Sequence, residues 1–234
     1  MSTEVICESL SEKWFQTRLG KMGGTRIKKL MPTDQQLKAI AKAIAKAEKK
    51  NEPLELPFPW SDGQLTILRD VAAEILTGER EETFTNKAMQ WGTDNEPNAR
   101  RAFEDKEMVV VRECGIYVYN DYVAVSPDGD IEDNKESWEA KCPTSKQHLL
   151  YYLDSNILYD DYKWQTIAEC WAMEYKKGVI CSYDPRFPDD KQLVIHRFEP
   201  TAEEFKALED RLIAAVQLIK EWIGEKPIDT ELPE

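Results

Sequence analysis

The sequence predicts a mixed α/β (α+β) fold, a central mixed β-sheet flanked by helices. Three observations predict it. Short apolar runs crowd the middle of the chain at Met108–Arg112, Gly115–Tyr119, Val123–Val125 and Ser137–Lys141. Two further runs, Val179–Tyr183 and Leu193–Phe198, come after a helical stretch, which fits a sheet whose strands run in both directions. Helix-period segments lie before and after these strands, so helices are expected to cover the sheet.

The elements can be taken in order. A helix is expected after the Trp14 segment. A second runs from Asp34 to Lys50: Leu37, Ile40 and Ile44 make its apolar side, and Lys38, Lys42 and Lys46 recur every four residues as a separate stripe. Asn51 to Gly63 carries Pro53, Pro57 and Pro59 and reads as a loop, a mobile segment or an interface element. Leu65 to Leu76 reads as a helix ending near Gly78. Lys87 to Phe103 is helical, with Glu96 and Arg100 four apart on one face. Gln147 to Tyr152 begins another helix. Tyr162 to Gln165 opens a helical stretch from Thr166 to Lys177, with Ile167, Trp171 and Tyr175 as its apolar face. A long amphipathic helix runs from Pro200 to about Ile223, with Thr201 as N-cap and Glu204 three residues on, the spacing of a capping box. No internal repeat or low-complexity tract interrupts this order.

At 234 residues the chain is long enough for one domain with a substantial core. A hydrophobic content of 41% with 32% charged residues describes a soluble globular protein. No apolar run approaches the roughly 18–20 residues that span a bilayer. Glu4, Glu8 and Glu12 come early without an apolar signal core, so a cytoplasmic protein is expected. The five cysteines are scattered, odd in number and never paired as Cys-x-x-Cys, which excludes a zinc module, a disulfide framework and a four-cysteine iron–sulfur cluster. Cys142, beside Lys141, has only His148 and His196 in the whole chain to activate it and no supporting motif, so a small buried residue is expected there.

The net charge of −13 argues against long-range attraction to nucleic acid. Its distribution argues the other way. Residues 1–60 hold eleven Lys/Arg against seven Asp/Glu, a local +4 that leaves −17 for the remainder. Arg18, Lys21, Arg26, Lys28 and Lys29 cluster, and the Lys38/Lys42/Lys46 stripe follows. Such a stripe is either a solvated face or the lining of a nucleic-acid channel.

The most informative segment lies between Ser126 and Lys141. Pro127-Asp128 supplies one carboxylate; Glu139-Ala140-Lys141 supplies a second, with a lysine two residues on. Side chains alternate across a strand, so Glu139 and Lys141 share a face and Ala140 points away. A hard cation such as Mg²⁺ takes oxygen ligands, and two carboxylates with a backbone carbonyl leave positions for water and phosphate. The lysine is placed to orient or deprotonate an attacking water, or to neutralise phosphate charge, which is the chemistry of phosphodiester hydrolysis. Asp-Gly is also a turn signal and Glu-x-Lys a common strand sequence. Glu96 and Arg100 are a surface ion pair or a third carboxylate delivered from a helix. Gln165 is a solvated polar residue or a ligand of the scissile phosphate or its water.

Helical Glu96, Pro127-Asp128, Glu139-x-Lys141 and Tyr162-x-x-Gln165, in that order, resemble the PD-(D/E)xK nucleases. Within them the chain is similar to the phage lambda exonuclease and YqaJ-type viral recombinase family. Trp14-Phe-Gln-Thr-Arg-Leu-Gly20, Trp91-Gly92 before Glu96, Ser126-Pro-Asp-Gly129, Glu139-Ala-Lys-Cys-Pro143 and Tyr183-Asp-Pro-Arg186 carry that resemblance, which covers about Trp14 to Arg186. It implies a restriction-endonuclease-like core in a single nuclease domain over 1–234, with a basic helical region at about 10–50, a catalytic core at about 86–198 and a C-terminal helix at about 201–223. By the resemblance, Asp128, Glu139 and the Ala140 carbonyl bind Mg²⁺, for which Mn²⁺ can substitute, and Glu96 completes a second metal position. Lys141 and Gln165 act on water and scissile phosphate. Arg18, helped by Thr25 and Ser126, holds a terminal 5′-phosphate, the bidentate chemistry of a guanidinium. Met89 falls where the family separates the strands. After Gly20 the chain reads Lys-Met-Gly-Gly-Thr, a departure from the family's Thr-Ala-Ser-like run.

The activity implied is 5′→3′ processive degradation of one strand from duplex DNA ends, leaving 3′ tails for recombination by strand annealing. A ring-shaped homotrimer, a single-strand annealing partner and a phage or prophage gene acting in the bacterial cytoplasm are implied with it. A sequence-specific endonuclease shares the same core, and a non-catalytic DNA-end-binding protein could be built on the same fold.

Overall fold

The computed structural model describes residues 2–50, 60–80 and 87–226, apart from the side chains of Asp34, Ile44, Glu48 and Lys50. The expected Pro53/Pro57/Pro59 loop and the Ile44 side chain lie outside the described residues. Seven strands, β1 (Thr3–Val5), β2 (Ile116–Val118), β3 (Ala124–Val125), β4 (Gly129–Ile131), β5 (Glu136–Lys141), β6 (Lys177–Tyr183) and β7 (Leu193–Phe198), are described. The helices described are α1 (Glu12–Arg18), α2 (Gly24–Leu30), α3 (Asp34–Lys50), α4 (Asp62–Thr77), α5 (Lys87–Glu107), α6 (Ser145–Leu153), α7 (Ser155–Met173) and α8 (Ala202–Ile223).

The central sheet is mixed and runs β4-β5-β6-β7; β5 and β6 are parallel and the outer pairs antiparallel. The parallel pair requires a crossover, which α6 and α7 supply. A second, antiparallel sheet of three strands, β1-β2-β3, stands beside it. The two pieces are tied by a buried polar knot. Arg112 donates to both oxygens of Asp130, to Glu4 and to Tyr117, and Tyr175 donates to Asp130 as well.

Period-two alternation along β5 decides what each side chain meets. Trp138 and Ala140 pack with Ala99 and Phe103 of α5. Ser137, Glu139 and Lys141 face α7, where they meet Glu169, Gln165 and Tyr162. On the far side α7 packs with α2, α4 and α8 through Ile167, Ala168 and Ala172 against Leu30, Leu68, Leu212 and Val216. The helix that carries the polar side of the site is therefore held by apolar contacts on its other faces.

Local signals set the helix ends. Ser61 and Gln64 form a capping box at α4, and Gly78 closes it in the left-handed conformation at φ 69°. Thr201 and Glu204 do the same at the start of α8. Two expectations need correction. Met108–Arg112 is not a strand: α5 runs on to Glu107, Met108 turns left-handed at φ 56°, and only Arg112 bridges to the sheet, at Asp130. The helix expected over Thr166–Lys177 spans Ser155–Met173, ends at left-handed Glu174, and yields Lys177 to β6. On the described part of the apolar side of α3, Leu37 is 51% exposed and Ile40 half-buried. Among the described residues no helix is long and apolar enough to cross a membrane.

Candidate active site

Asp128 sits just before β4, and its Oδ2 accepts the backbone N–H of Ala140 at 2.9 Å. The carboxylate is thereby pinned to the strand that presents Glu139. Glu139, 1% exposed, accepts from both Lys141 Nζ and Gln165 Nε2 on the same oxygen, Oε1. Glu96 stands on α5 with Oε1 4.0 Å from the Arg100 guanidinium. Arg100 also donates to the Asp128 carbonyl at 3.2 Å and pairs with Glu113, so it positions the Asp128 backbone.

The electrostatics describe a crowd of acids. Burial, then the charge of Glu139, holds the Asp128 carboxyl well above the usual range. The same two causes, in the same order, raise Glu96. Burial would lower the Lys141 ammonium, but Glu139 and Asp128 outweigh it and raise it. Glu169, which sequence reasoning did not single out, joins the cluster. It is 1% exposed, accepts from Ser137 at 3.3 Å, and is raised well above its usual range by burial and by Glu139 and Asp128. Its spacing of four from Gln165 on one helix face was the available signal.

Whether a cation fits is decided by the donor set. Glu139 Oε2 and Glu169 Oε1 are buried with no hydrogen-bond partner. An orphaned buried carboxylate oxygen among mutually repelling acids is a place where positive charge is favourable. Among the described residues no three acidic, histidine or cysteine side chains form a ready-built shell. The fit is thus of orphaned carboxylate oxygen on Glu139 and Glu169 near Asp128, with water and substrate left to supply the rest of a shell.

The N-terminal residues come to the same cleft. The Arg18 guanidinium stacks 4.1 Å from the Trp14 ring centroid, and Trp14 Nε1 donates to Ser126 Oγ at 3.2 Å. Burial first, then the nearby Arg80 and Arg26, pull Arg18 down to about 10. No hydrogen bond or ion pair engages its guanidinium among the described residues. Gly23 makes the room: a Cβ there would lie 2.7 Å from an Arg18 nitrogen. Gly24 lets α2 close on α7, since a Cβ there would lie 2.9 Å from Gln165 Cγ. The Gly-Gly departure from the family's run is therefore a steric requirement of this site. A cleft of about 540 Å³ is lined by Trp14, Glu96, Arg100, Ser126 and Asp128.

Two expected residues stand at the surface. Thr25 is exposed in the first turn of α2, and Met89 is 51% exposed on the first turn of α5. Cys142 packs against the core beneath the sheet, and burial pushes its thiol up to about 12, which makes it a poor nucleophile.

The fold so described is that of solved exonucleases. An alkaline exonuclease, LHK-Exo, from Laribacter hongkongensis superposes with a TM-score of 0.74 at 24% identity, over 92% of this chain and 95% of that one. LHK-Exo in complex with dAMP gives 0.72 at 24%, with the same coverage of 92% and 95%. A phage related exonuclease from Haemophilus somnus 129PT gives 0.65 at 15%, over 87% and 95%. No curated protein sequence matches the chain. The family is settled by sequence: residues 13–176 match the YqaJ-like viral recombinase domain, and the chain belongs to that family.

Proposed function

We propose that this chain is a metal-dependent exonuclease that degrades one strand of duplex DNA from its ends, 5′→3′, and leaves 3′ single-stranded tails. The observation that carries the reading is the convergence on Glu139 of Lys141 and Gln165, with Asp128 tied to the same strand. Family membership and the fold shared with proteins described as exonucleases support it.

Asp128, Glu139 and the Ala140 carbonyl would hold Mg²⁺, or Mn²⁺ in its place, with Glu96 completing a second position. Bound there, the metal supplies acidity to water and charge stabilisation to the phosphate. The chain's own residues do the rest. Lys141 holds its proton beside Glu139 and faces the phosphate as a point charge. Gln165, fixed by Gly24 and α7, orients water or the scissile phosphate. Arg18 receives the terminal 5′-phosphate, with Ser126, and with Thr25 at the rim of α2. Met89, exposed on α5, is the proposed strand-separating residue. Processivity through a homotrimeric ring, a single-strand annealing partner and action of a phage or prophage gene product in the bacterial cytoplasm belong to this reading by family resemblance.

The test is digestion of one linear duplex, labelled at its 5′ or 3′ end, beside the same DNA as a closed circle, with Mg²⁺ and with EDTA. Metal-dependent release of 5′ label with the circle intact is expected. A cut circle indicates an endonuclease, and no cutting indicates a binding protein; either overturns the reading.

A further inference from the structure

The five cations between residues 18 and 29 do not share one task. Lys21 donates to the Asp121 carbonyl at 3.0 Å. Arg26 forks onto Glu74 and also donates to the Lys21 carbonyl. Lys29 is exposed. Arg18 stacks on Trp14, whose indole N–H donates to Ser126.

Lys28 goes elsewhere. Its ammonium lies 3.9 Å from the centroid of the Tyr162 ring, and that of Lys141 lies 5.2 Å from the same centroid. No hydrogen bond or ion pair to Lys28 occurs among the described residues, although Asp161 and Glu139 are near enough to be felt. Asp161 is already engaged by Tyr151 at 2.7 Å and Gln147 at 3.4 Å. The aromatic face attracts the ammonium and holds it half-buried, but it cannot neutralise it. Burial and Lys141 both disfavour its charge, so an arriving anion would relieve it. On the nuclease reading, the anion that would reach this wall next to Lys141 is a phosphodiester of the bound strand.

We propose that Lys28 is a second phosphate ligand beside Lys141, binding a phosphodiester next to the one that meets Lys141, with Tyr162 as their shared wall. This rests on the nuclease reading of the site. A lysine that merely covers a tyrosine ring would look the same at rest; charge separates the two.

The experiment measures equilibrium binding of a 5′-phosphorylated duplex in EDTA across a range of salt. Each phosphate neutralised contributes about 0.9 to the slope of log K against log salt. Lys28→Met keeps an apolar stem over Tyr162 and should reduce that slope by about one, equally for unrelated sequences, while Lys28→Arg restores it. Lys28→Gln serves the same purpose should the Met variant fail to fold. An unchanged slope in a folded, uncharged variant overturns the inference while leaving the nuclease reading intact. A wild-type protein that neither binds nor cuts duplex DNA overturns both.

Discussion

The backbone N–H of Ala140 donates to Asp128 Oδ2 at 2.9 Å, so the first acid of the site is positioned by the strand that bears the second. Eleven residues separate Asp128 from Ala140 in sequence, and β4 pairs antiparallel with β5 across that interval. The hairpin brings the two motif fragments into register. The spacing between Pro-Asp and Glu-x-Lys matters only through that pairing.

Arg18 is the residue whose loss should change end preference rather than folding. Its guanidinium is half-buried, stacked on Trp14 and unpaired among the described residues. Arg18→Ala should reduce the preference for 5′-phosphorylated over 5′-hydroxyl ends by about tenfold, the worth of one charge-assisted hydrogen bond pair. Competition between the two ends in one digest measures it. An unchanged ratio removes the pocket.

Arg26 has the opposite character. It forks onto Glu74, whose carboxylate is 7% exposed and also accepts from Gly20 N at 3.0 Å. Arg26→Ala leaves a buried acid with half its partners and should cost about 2 kcal/mol of stability. Urea unfolding reads the loss, and the salt slope of DNA binding should stay at its wild-type value. A stable variant with a reduced slope would place Arg26 on DNA instead.

Asp184 gives a pH signature. It is fully buried and accepts from the Arg186 backbone at 3.0 Å and from the guanidinium at 2.7 Å. Burial would raise it, but these bonds outweigh burial and hold it below the usual carboxylate range. An acid with a lowered folded pKa stabilises above its unfolded value, about 3.9, and that contribution is lost as pH falls through the folded value. Because Arg186 is half exposed, Asp184→Asn should cost only about 1 kcal/mol near pH 7, and the gap should close below about pH 4. Thermal melts at both ends of that range measure it. A gap independent of pH would mean that packing, not charge, holds the turn.

Much of this was legible in the sequence because its signals are local. Thr201 with Glu204 starts α8 and Gly78 ends α4 as their caps predict, while α4 begins at Asp62, three residues before the expected Leu65. Glu139, Lys141 and Gln165 come together because strand alternation and a helix face are each readable from spacing. What failed depended on tertiary context. The first turns of α7 mix Asn156, Asp160 and Asp161 with Leu158 and Tyr162, so the start at Ser155 does not stand out in the sequence. Met108–Arg112 has strand composition, yet Met108 turns left-handed after α5, the Val111 N–H is taken by the Glu104 side chain at 2.8 Å, and only Arg112 is left to bridge. β4 is three residues with a glycine and a buried aspartate that Arg112 and Tyr175 satisfy from outside the strand. Glu169 has no motif beyond its spacing of four from Gln165, and its importance arises from burial against Ser137 and Glu139, which that spacing alone does not reveal.

The most direct measurement is release of nucleotides from a linear 5′-phosphorylated duplex with Mg²⁺ by wild type, Asp128→Ala and Lys141→Ala, each first shown to be folded by its melt. The site described here predicts at least a hundredfold loss in both variants, the scale on which charge-stabilising groups act. It also predicts that both variants still bind DNA ends through Arg18. Hydrolysis near the wild-type rate in either variant would contradict the assignment of the site.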